Sequence, residues 1–193
     1  MCIIKTISCF IVLLFRFMKN KFKIFIIFIG CFLFRLLPFR APNVEPIMAS
    51  IMPTARRYGA FIGFAFGFLS IFLYDSVTHF GSWTWITAIT YGAIGAVSSI
   101  YFKKVKTSVF NFAVFAFFAT ILYDLITGVL VAPMIGQNIM TALMLQIPFT
   151  ALHLAGNIGF ALTLSPLINR WLLSSKTFAL KYGSLTSVNK NYL

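Results

Sequence analysis

The sequence predicts an all-α, polytopic membrane protein: a six-transmembrane-helix bundle with both termini cytoplasmic. Three observations favour this fold class. Of the 193 residues, 60% are apolar and only 10% are charged, whereas about a quarter of a soluble domain is charged. Apolar segments long enough to cross a hydrocarbon core of about 30 Å recur along the chain. Basic residues gather in short clusters between these segments, as they do in membrane proteins.

Six apolar elements follow Met18. They are expected at residues 24–37, 44–55, 58–74, 85–102, 109–131 and 138–167. The second is short and bracketed by Pro42, Pro46 and Pro53, so we expect it not to run as one regular span. Pro148 predicts a kink in the last element.

The basic clusters test the number of crossings. They lie at residues 16–23, 56–57, 103–106 and 170–181. With the first cluster inside, six crossings return all the others to the cytoplasm and leave only Arg35 and Arg40 outside. The connections at 38–43, 75–84 and 132–138, which carry polar and turn-forming residues, are then expected on the outer face.

The chain divides into three expected parts. Residues 1–23 form a basic and apolar N-terminal extension, 24–173 the six-helix membrane domain, and 174–193 a cytoplasmic tail. Met18 resembles a natural start, so residues 1–17 are interpreted as an upstream extension or an extra interfacial helix. No small-residue cleavage site follows them, which disfavours a cleaved signal peptide.

Composition and motifs disfavour several function classes. The net charge of +13 lies in positive-inside clusters, so we expect no nucleic-acid partner. Cys2, Cys9 and Cys31 lack a metal or disulfide spacing and are interpreted as packing residues. No Walker A, GxSxG or HExxH motif is present, so we expect neither an enzyme, nor a cofactor or metal, nor self-powered transport.

The chain has only three acidic residues: Glu45, Asp75 and Asp124. Two of them end the repeated tripeptide "LYD". All three are expected toward the outer face, Asp124 deeper than Asp75. Because a carboxylate in hydrocarbon is costly, such residues usually face a bundle interior or a wet cavity. Either at least one faces a ligand, or they cap helix ends and pair with Arg35 and Arg40.

A polar stripe runs along the last apolar element. Gln146, Thr150, His153 and Asn157 are spaced by 4, 3 and 4 residues, which places them on one helix face. The stripe and the carboxylates are predicted to converge on one cavity. The alternative is ordinary interhelical hydrogen bonding, worth about 0.6 kcal/mol per pair.

Two further patterns each have two interpretations. Trp83 and Trp85 are either interfacial anchors or aromatic walls for a planar ligand. Small residues recur every four positions at Ala55, Gly59, Gly63 and Gly67. They either pack helices within the bundle or dock a membrane partner.

Residues 38–170 resemble the substrate-binding S components of energy-coupling factor (ECF) vitamin transporters. The resemblance rests on "NVEPIMAS", "LSIFLYDSV", "WTWITAITYGAIGAVSS", "LYDLITG" and "QIPFTALHLAGNIGFALTLSPLI". It implies a six-helix bundle that captures a vitamin or related micronutrient from outside and docks a transmembrane coupling subunit driven by two ATPases. The small-residue docking motif of the family's first helix has no clean copy in residues 24–37. Either the series from Ala55 to Gly67 serves instead, or docking is unconventional.

Together these patterns predict the substrate-binding subunit of an ATP-driven importer in the bacterial inner membrane, in contact with lipid. The predicted ligand-binding residues are Asn43, Glu45, Asp75, Trp83, Trp85, Asp124, Gln146, His153 and Asn157. Flavins, thiamin, folates, corrinoids and deazapurines suit this chemistry equally. The alternatives are a small polytopic envelope or cell-shape scaffold and, less favoured because the second Asp lacks a GxGD context, an intramembrane aspartyl protease.

Overall fold

The computed structural model describes residues 22–188, which are all-helical and contain no strand. Residues 1–21, which include most of the predicted extension 1–23 and the first two cysteines, lie outside the described part. We number the α-helices α1 to α6 along the chain. They span residues 22–35 (α1), Ile47–Tyr58 (α2), Ala60–Val77 (α3), Ser82–Lys104 (α4), Val109–Val131 (α5) and Ile139–Val188 (α6), and a 3₁₀ turn spans Ala132–Ile135.

Four of these helices are long and apolar enough to cross a membrane: α3, α4, α5 with its 3₁₀ turn, and α6 over Ile139–Leu173. The chain is therefore a helical membrane protein, as predicted. Helix α2 has 12 residues, fewer than the roughly 20 that a span needs, and the described part of α1 is also short. Six spans and cytoplasmic termini stay predictions. Helix α6 continues well beyond the predicted end at residue 167, through part of the expected tail.

Helix α2 forms the centre of the bundle. Its residues Ile47–Ala55 are all buried, and α2 packs against α3, α4, α5 and α6. Although too short for a regular span, it is one continuous helix with Pro53 inside. Proline removes the N–H that would bond to the carbonyl four residues earlier. That carbonyl, on Ala49, instead accepts a 2.8 Å hydrogen bond from the Ser165 hydroxyl of α6, so the helix continues.

Neighbouring helices run antiparallel, which gives the bundle two chemically different ends. Gly63 faces Gly95 and Gly67 faces Tyr91 between α3 and α4. We call the end with the connections 36–46, 78–81 and 132–138 the cavity end. The opposite end, with Gly59 and the connection 105–108, is the basic end. All three acidic residues lie in the half of the bundle toward the cavity end.

Candidate ligand-binding site

A cavity of about 500 Å³ opens at the cavity end, between the connection 36–46 and helices α3 to α6. This volume falls within the roughly 300–1,000 Å³ typical of small-molecule sites. Its polar and aromatic lining comprises Arg35, Arg40, Asn43, Glu45, Trp83, Thr87, Tyr123, Thr127, Gln137, Gln146, Phe149 and His153. The remaining wall is aliphatic.

Arg35 anchors one side of the cavity. Its Nε lies 3.0 Å from Glu45 Oε2, and both side chains are almost entirely buried. The contact is an ion pair rather than a hydrogen bond, because the direction of the Nε–H bond does not suit Glu45 or any other acceptor. The guanidinium also donates to the Ser70 carbonyl oxygen at 3.3 Å and lies 4.0 Å from the centre of the Tyr74 ring. Arg35 therefore joins the end of α1 to α3 and fixes Glu45.

Arg40 folds the connection 36–46 back over this side. Its Nε donates to the Arg35 carbonyl oxygen at 2.8 Å, and an Nη donates to the Tyr74 hydroxyl at 3.4 Å. These two hydrogen bonds occupy some of the N–H donors of the Arg40 guanidinium. The arginines expected only as ion-pair partners are thus structural elements of the cavity wall.

Asn43 offers the cavity a donor that the protein does not use. Its φ of 60° lies in the left-handed region, which Asn tolerates better than most residues. The next residue packs closely on α6, where a Cβ at Gly156 would lie 3.0 Å from Val44 Cα. Asn43 Nδ2 is buried and has no hydrogen-bond partner among residues 22–188. Because buried donors are nearly always satisfied, this amide is suited to a bound ligand.

The opposite wall is the seam between α5 and α6. Gln146 Nε2 donates to the Asp124 carbonyl oxygen at 2.6 Å, and His153 Nδ1 lies 2.8 Å from Asp124 Oδ1. A side chain at position 128 would collide with Gln146, so glycine there permits this approach. This contact uses Nδ1 of the imidazole and leaves Nε2 for another partner. His153 lines the cavity, whereas Asp124 lies behind it.

The predicted stripe divides along α6. Gln146 and His153 reach the cavity. Thr150 instead faces a separate groove of about 380 Å³, which Asp124 and Gln146 also line. Asn157 is fully buried farther along the seam, where its Nδ2 donates to the Thr120 hydroxyl at 2.8 Å. Both predicted uses of the stripe, cavity lining and interhelical bonding, therefore occur in one helix.

Asp75, at the end of the first "LYD", and Trp85 lie outside the cavity lining. Asp75 accepts a 2.8 Å hydrogen bond from the Thr84 hydroxyl, which itself accepts from the Gly81 N–H at 3.2 Å. Asp75 therefore supports the start of α4. Trp85 packs on Phe72, with ring centres 5.4 Å apart.

Of the nine predicted ligand-binding residues, five line the cavity: Asn43, Glu45, Trp83, Gln146 and His153. Asp75, Trp85, Asp124 and Asn157 do not. The prediction omitted Thr87, Tyr123, Thr127 and Gln137, which also line it. Thr87 follows Trp83 by one helical turn and Thr127 follows Tyr123 by one turn, so helical spacing could have identified them.

The small-residue series lies largely inside the bundle. A Cβ at Gly63 would collide with the Gly95 carbonyl and with Ala55 Cβ, and one at Gly67 with the Tyr91 carbonyl. Gly59, with φ of 98°, forms the turn between α2 and α3. These positions serve helix packing, which was one of the two interpretations. Docking of a partner through Ala55, Gly59, Gly63 and Gly67 stays a prediction.

Comparison with known families agrees with this arrangement. A family model described as "ECF-type riboflavin transporter, S component" matches residues 24–170, well over half of the chain. The chain belongs to this ECF S-component family. Searches of curated proteins and of solved structures found no match.

Membership confirms the predicted resemblance and class. An ECF S component is a membrane-embedded subunit for vitamin uptake, not an enzyme, which disfavours the protease alternative. The four span-length helices fit this multi-pass membrane location. Asp75 and Asp124, the proposed protease pair, have separate partners in Thr84 and His153.

Proposed function

We propose that this S component captures riboflavin or a closely related flavin at the cavity end and delivers it to an ATP-driven ECF importer. The observation that carries the proposal is the cavity, with its aromatic wall and the unused Asn43 amide. The family description, which names riboflavin transporters, supports the choice of flavin.

The balance of charge favours an uncharged ligand. Arg35 is paired with Glu45, and Arg40 donates to protein oxygens. Arg40 keeps a positive charge without a carboxylate partner in the described lining, which could balance one negative charge but not the several carboxylates of a folate. Riboflavin is neutral and combines a planar ring system with a hydroxylated chain, so it matches an aromatic wall interrupted by hydrogen-bonding groups.

We assign roles by side-chain chemistry. Trp83, Tyr123 and Phe149 provide surfaces against which a planar ring packs. Asn43, Thr87, Gln137 and Gln146 supply amide or hydroxyl groups. His153 presents Nε2, because Asp124 occupies Nδ1. Asp124 is thus a positioning residue that acts through His153.

The distribution of charge supports outer-face capture. Seven described basic residues lie toward the basic end: Lys23, Arg56, Arg57, Lys103, Lys104, Lys106 and Arg170. By the positive-inside rule we expect that end to be cytoplasmic and the cavity end to face outside. The same orientation accommodates six crossings with both termini inside. Delivery then requires a transmembrane coupling subunit and ATPases, since the chain lacks a nucleotide-binding motif.

Ligand identity is tested by isothermal titration calorimetry of the purified protein with riboflavin, thiamin and folate in parallel. We expect saturable binding of riboflavin at one molecule per chain and weak or no binding of the other two. Tight binding of thiamin or folate with no riboflavin binding would overturn the choice of ligand. Arg170→Gln, at an exposed position remote from the cavity, serves as the matched control and should bind like wild type.

Sidedness is tested separately by cysteine labelling in intact cells. The positions are His79 at the cavity end and Lys106 at the basic end, both exposed, in a background with Cys2 and Cys9 changed to Ser. A membrane-impermeant maleimide should label His79→Cys and not Lys106→Cys. The reverse pattern would contradict outer-face capture without affecting the ligand assignment.

A further inference from the structure

A second, smaller cavity lies at the basic end, far from the proposed flavin site. It has a volume of about 230 Å³ and is lined by Arg56, Arg57, Asn169, Leu172 and Leu173. The two arginines form the last turn of α2, and the other three residues belong to α6. Two cations and an amide therefore face a pocket with two leucines at its side.

Contacts around this cavity hold Arg56 but leave part of Arg57 unused. Arg56 donates to the Thr107 hydroxyl of the α4–α5 connection, to which Asn169 Nδ2 also donates at 3.4 Å. Thr107 thereby fixes one edge of the cavity. Arg57 Nε is buried and has no hydrogen-bond partner within the described residues. A buried charged donor without a partner is costly.

No acidic side chain of the described residues lies near this end, because Glu45, Asp75 and Asp124 all lie toward the cavity end. Arginines at the end of α2 do complement its helix dipole, an effect of about 0.3–1 kcal/mol. That effect accounts for their charge but not for a cavity with an unused guanidinium nitrogen. An anion from outside the chain would fill the cavity and accept a hydrogen bond from the unused guanidinium nitrogen.

We propose that this cavity binds the phosphate of an anionic phospholipid from the surrounding leaflet. Guanidinium groups match phosphate geometry through paired N–H donors. The cavity lies beside the end of α2 and the α4–α5 connection. We expect this level to coincide with the lipid head groups, where basic residues attract anionic lipids. Leu172 and Leu173 provide an apolar side for the glycerol and the first acyl carbons.

The test compares purified full-length protein in nanodiscs of phosphatidylcholine alone and of phosphatidylcholine with phosphatidylglycerol in equal parts. Thermal unfolding and native mass spectrometry report stabilisation and bound lipid. Arg57→Gln is compared with Arg170→Gln, which removes the same charge from an exposed position outside the cavity. We expect Arg57→Gln to weaken phosphatidylglycerol retention at least about tenfold, while Arg170→Gln stays near wild type.

Several outcomes would overturn the proposal. Equal losses in the two variants would indicate diffuse attraction to the basic end, and no effect of phosphatidylglycerol on wild type would exclude the site. Inorganic phosphate that replaces the lipid effect at millimolar concentration would identify free phosphate as the occupant. Arg57→Lys, which keeps the charge but loses Nε, should recover only part of the retention. Riboflavin binding by Arg57→Gln reports on the flavin site independently and should be unchanged.

Discussion

The α3–α4 seam and the α5–α6 seam join antiparallel helices by different means. Between α3 and α4, Gly63 and Gly95 let the two backbones touch, and a Cβ on either would collide with the other's carbonyl. Between α5 and α6 the contacts are side-chain hydrogen bonds, from Gln146 and His153 to Asp124 and from Asn157 to Thr120.

The α3–α4 seam therefore serves rigid packing, whereas the α5–α6 seam also contributes to ligand recognition. Close packing of small residues leaves no room for a ligand and fixes α4, which carries Trp83 at its start. The polar seam holds its helices together through groups that also face or support the cavity. Four experiments, ordered from the largest expected effect to the smallest, test this division.

Gly63→Val should damage the α3–α4 seam most. The added carbons must displace the backbone of α4, so we expect a loss of about 3 kcal/mol or more of folding free energy, measured by thermal unfolding in detergent. Gly30→Ala is the control, because a Cβ there meets nothing within 4 Å. If Gly63→Val unfolded like wild type, the glycine contact would not determine this seam.

Asp124→Asn and Asp75→Asn make the same change in the two "LYD" tripeptides. A neutral amide holds His153 less firmly than a carboxylate does, so Asp124→Asn should weaken riboflavin binding about tenfold, near 1.4 kcal/mol. Asp75 supports only the start of α4, so its variant should bind within about twofold of wild type. The measurement is calorimetric titration. Equal effects at both positions would contradict the placement of the cavity.

Trp83→Leu and Trp85→Leu compare neighbouring tryptophans on α4. Only Trp83 lines the cavity, so its replacement should weaken riboflavin binding about fivefold, on the order of 1 kcal/mol. Trp85 packs on Phe72 and its replacement should leave binding unchanged. Titration by quenching of riboflavin fluorescence measures both. A larger effect at Trp85 would indicate that riboflavin binds nearer to Phe72 of α3, on which Trp85 packs.

The smallest effect is expected deep in the α5–α6 seam. A double-mutant cycle with Thr120→Val and Asn157→Leu should give a coupling free energy of about 0.6 kcal/mol in thermal or denaturant unfolding. Riboflavin affinity should change little, because neither residue lines the cavity. A tenfold loss of affinity in Asn157→Leu would show that the ligand reaches farther along α6.

Periodicity and charge predicted much of this architecture. The α5 limits agree with the prediction, and α2, α3, α4 and α6 begin within about three residues of the predicted positions. Pro53 signals a break in α2 locally, yet the helix is continuous, because Ser165, more than a hundred residues away, satisfies the freed carbonyl. A sequence pattern holds no information about such a distant partner.

The site was predictable only in part, because helical spacing shows which residues share a face but not what that face contacts. Helical spacing placed Gln146 and His153 on one face, and both reach the cavity. The same spacing could not show that Asp124 points at His153 rather than at the cavity, since that depends on the rotation of α5 against α6. Asp75 was grouped with Asp124 because both are acidic, end the same tripeptide and were expected toward the outer face, yet the Thr84 hydroxyl, nine residues later, donates to Asp75.

Hydrogen exchange followed by mass spectrometry, with and without saturating riboflavin, tests the central claim most directly. The account predicts protection in residues 36–46 and 132–142, which border the cavity, and no change in the connection 105–108 at the basic end. Protection centred on residues 105–108, or no protection anywhere at saturating riboflavin, would contradict a flavin site at the cavity end.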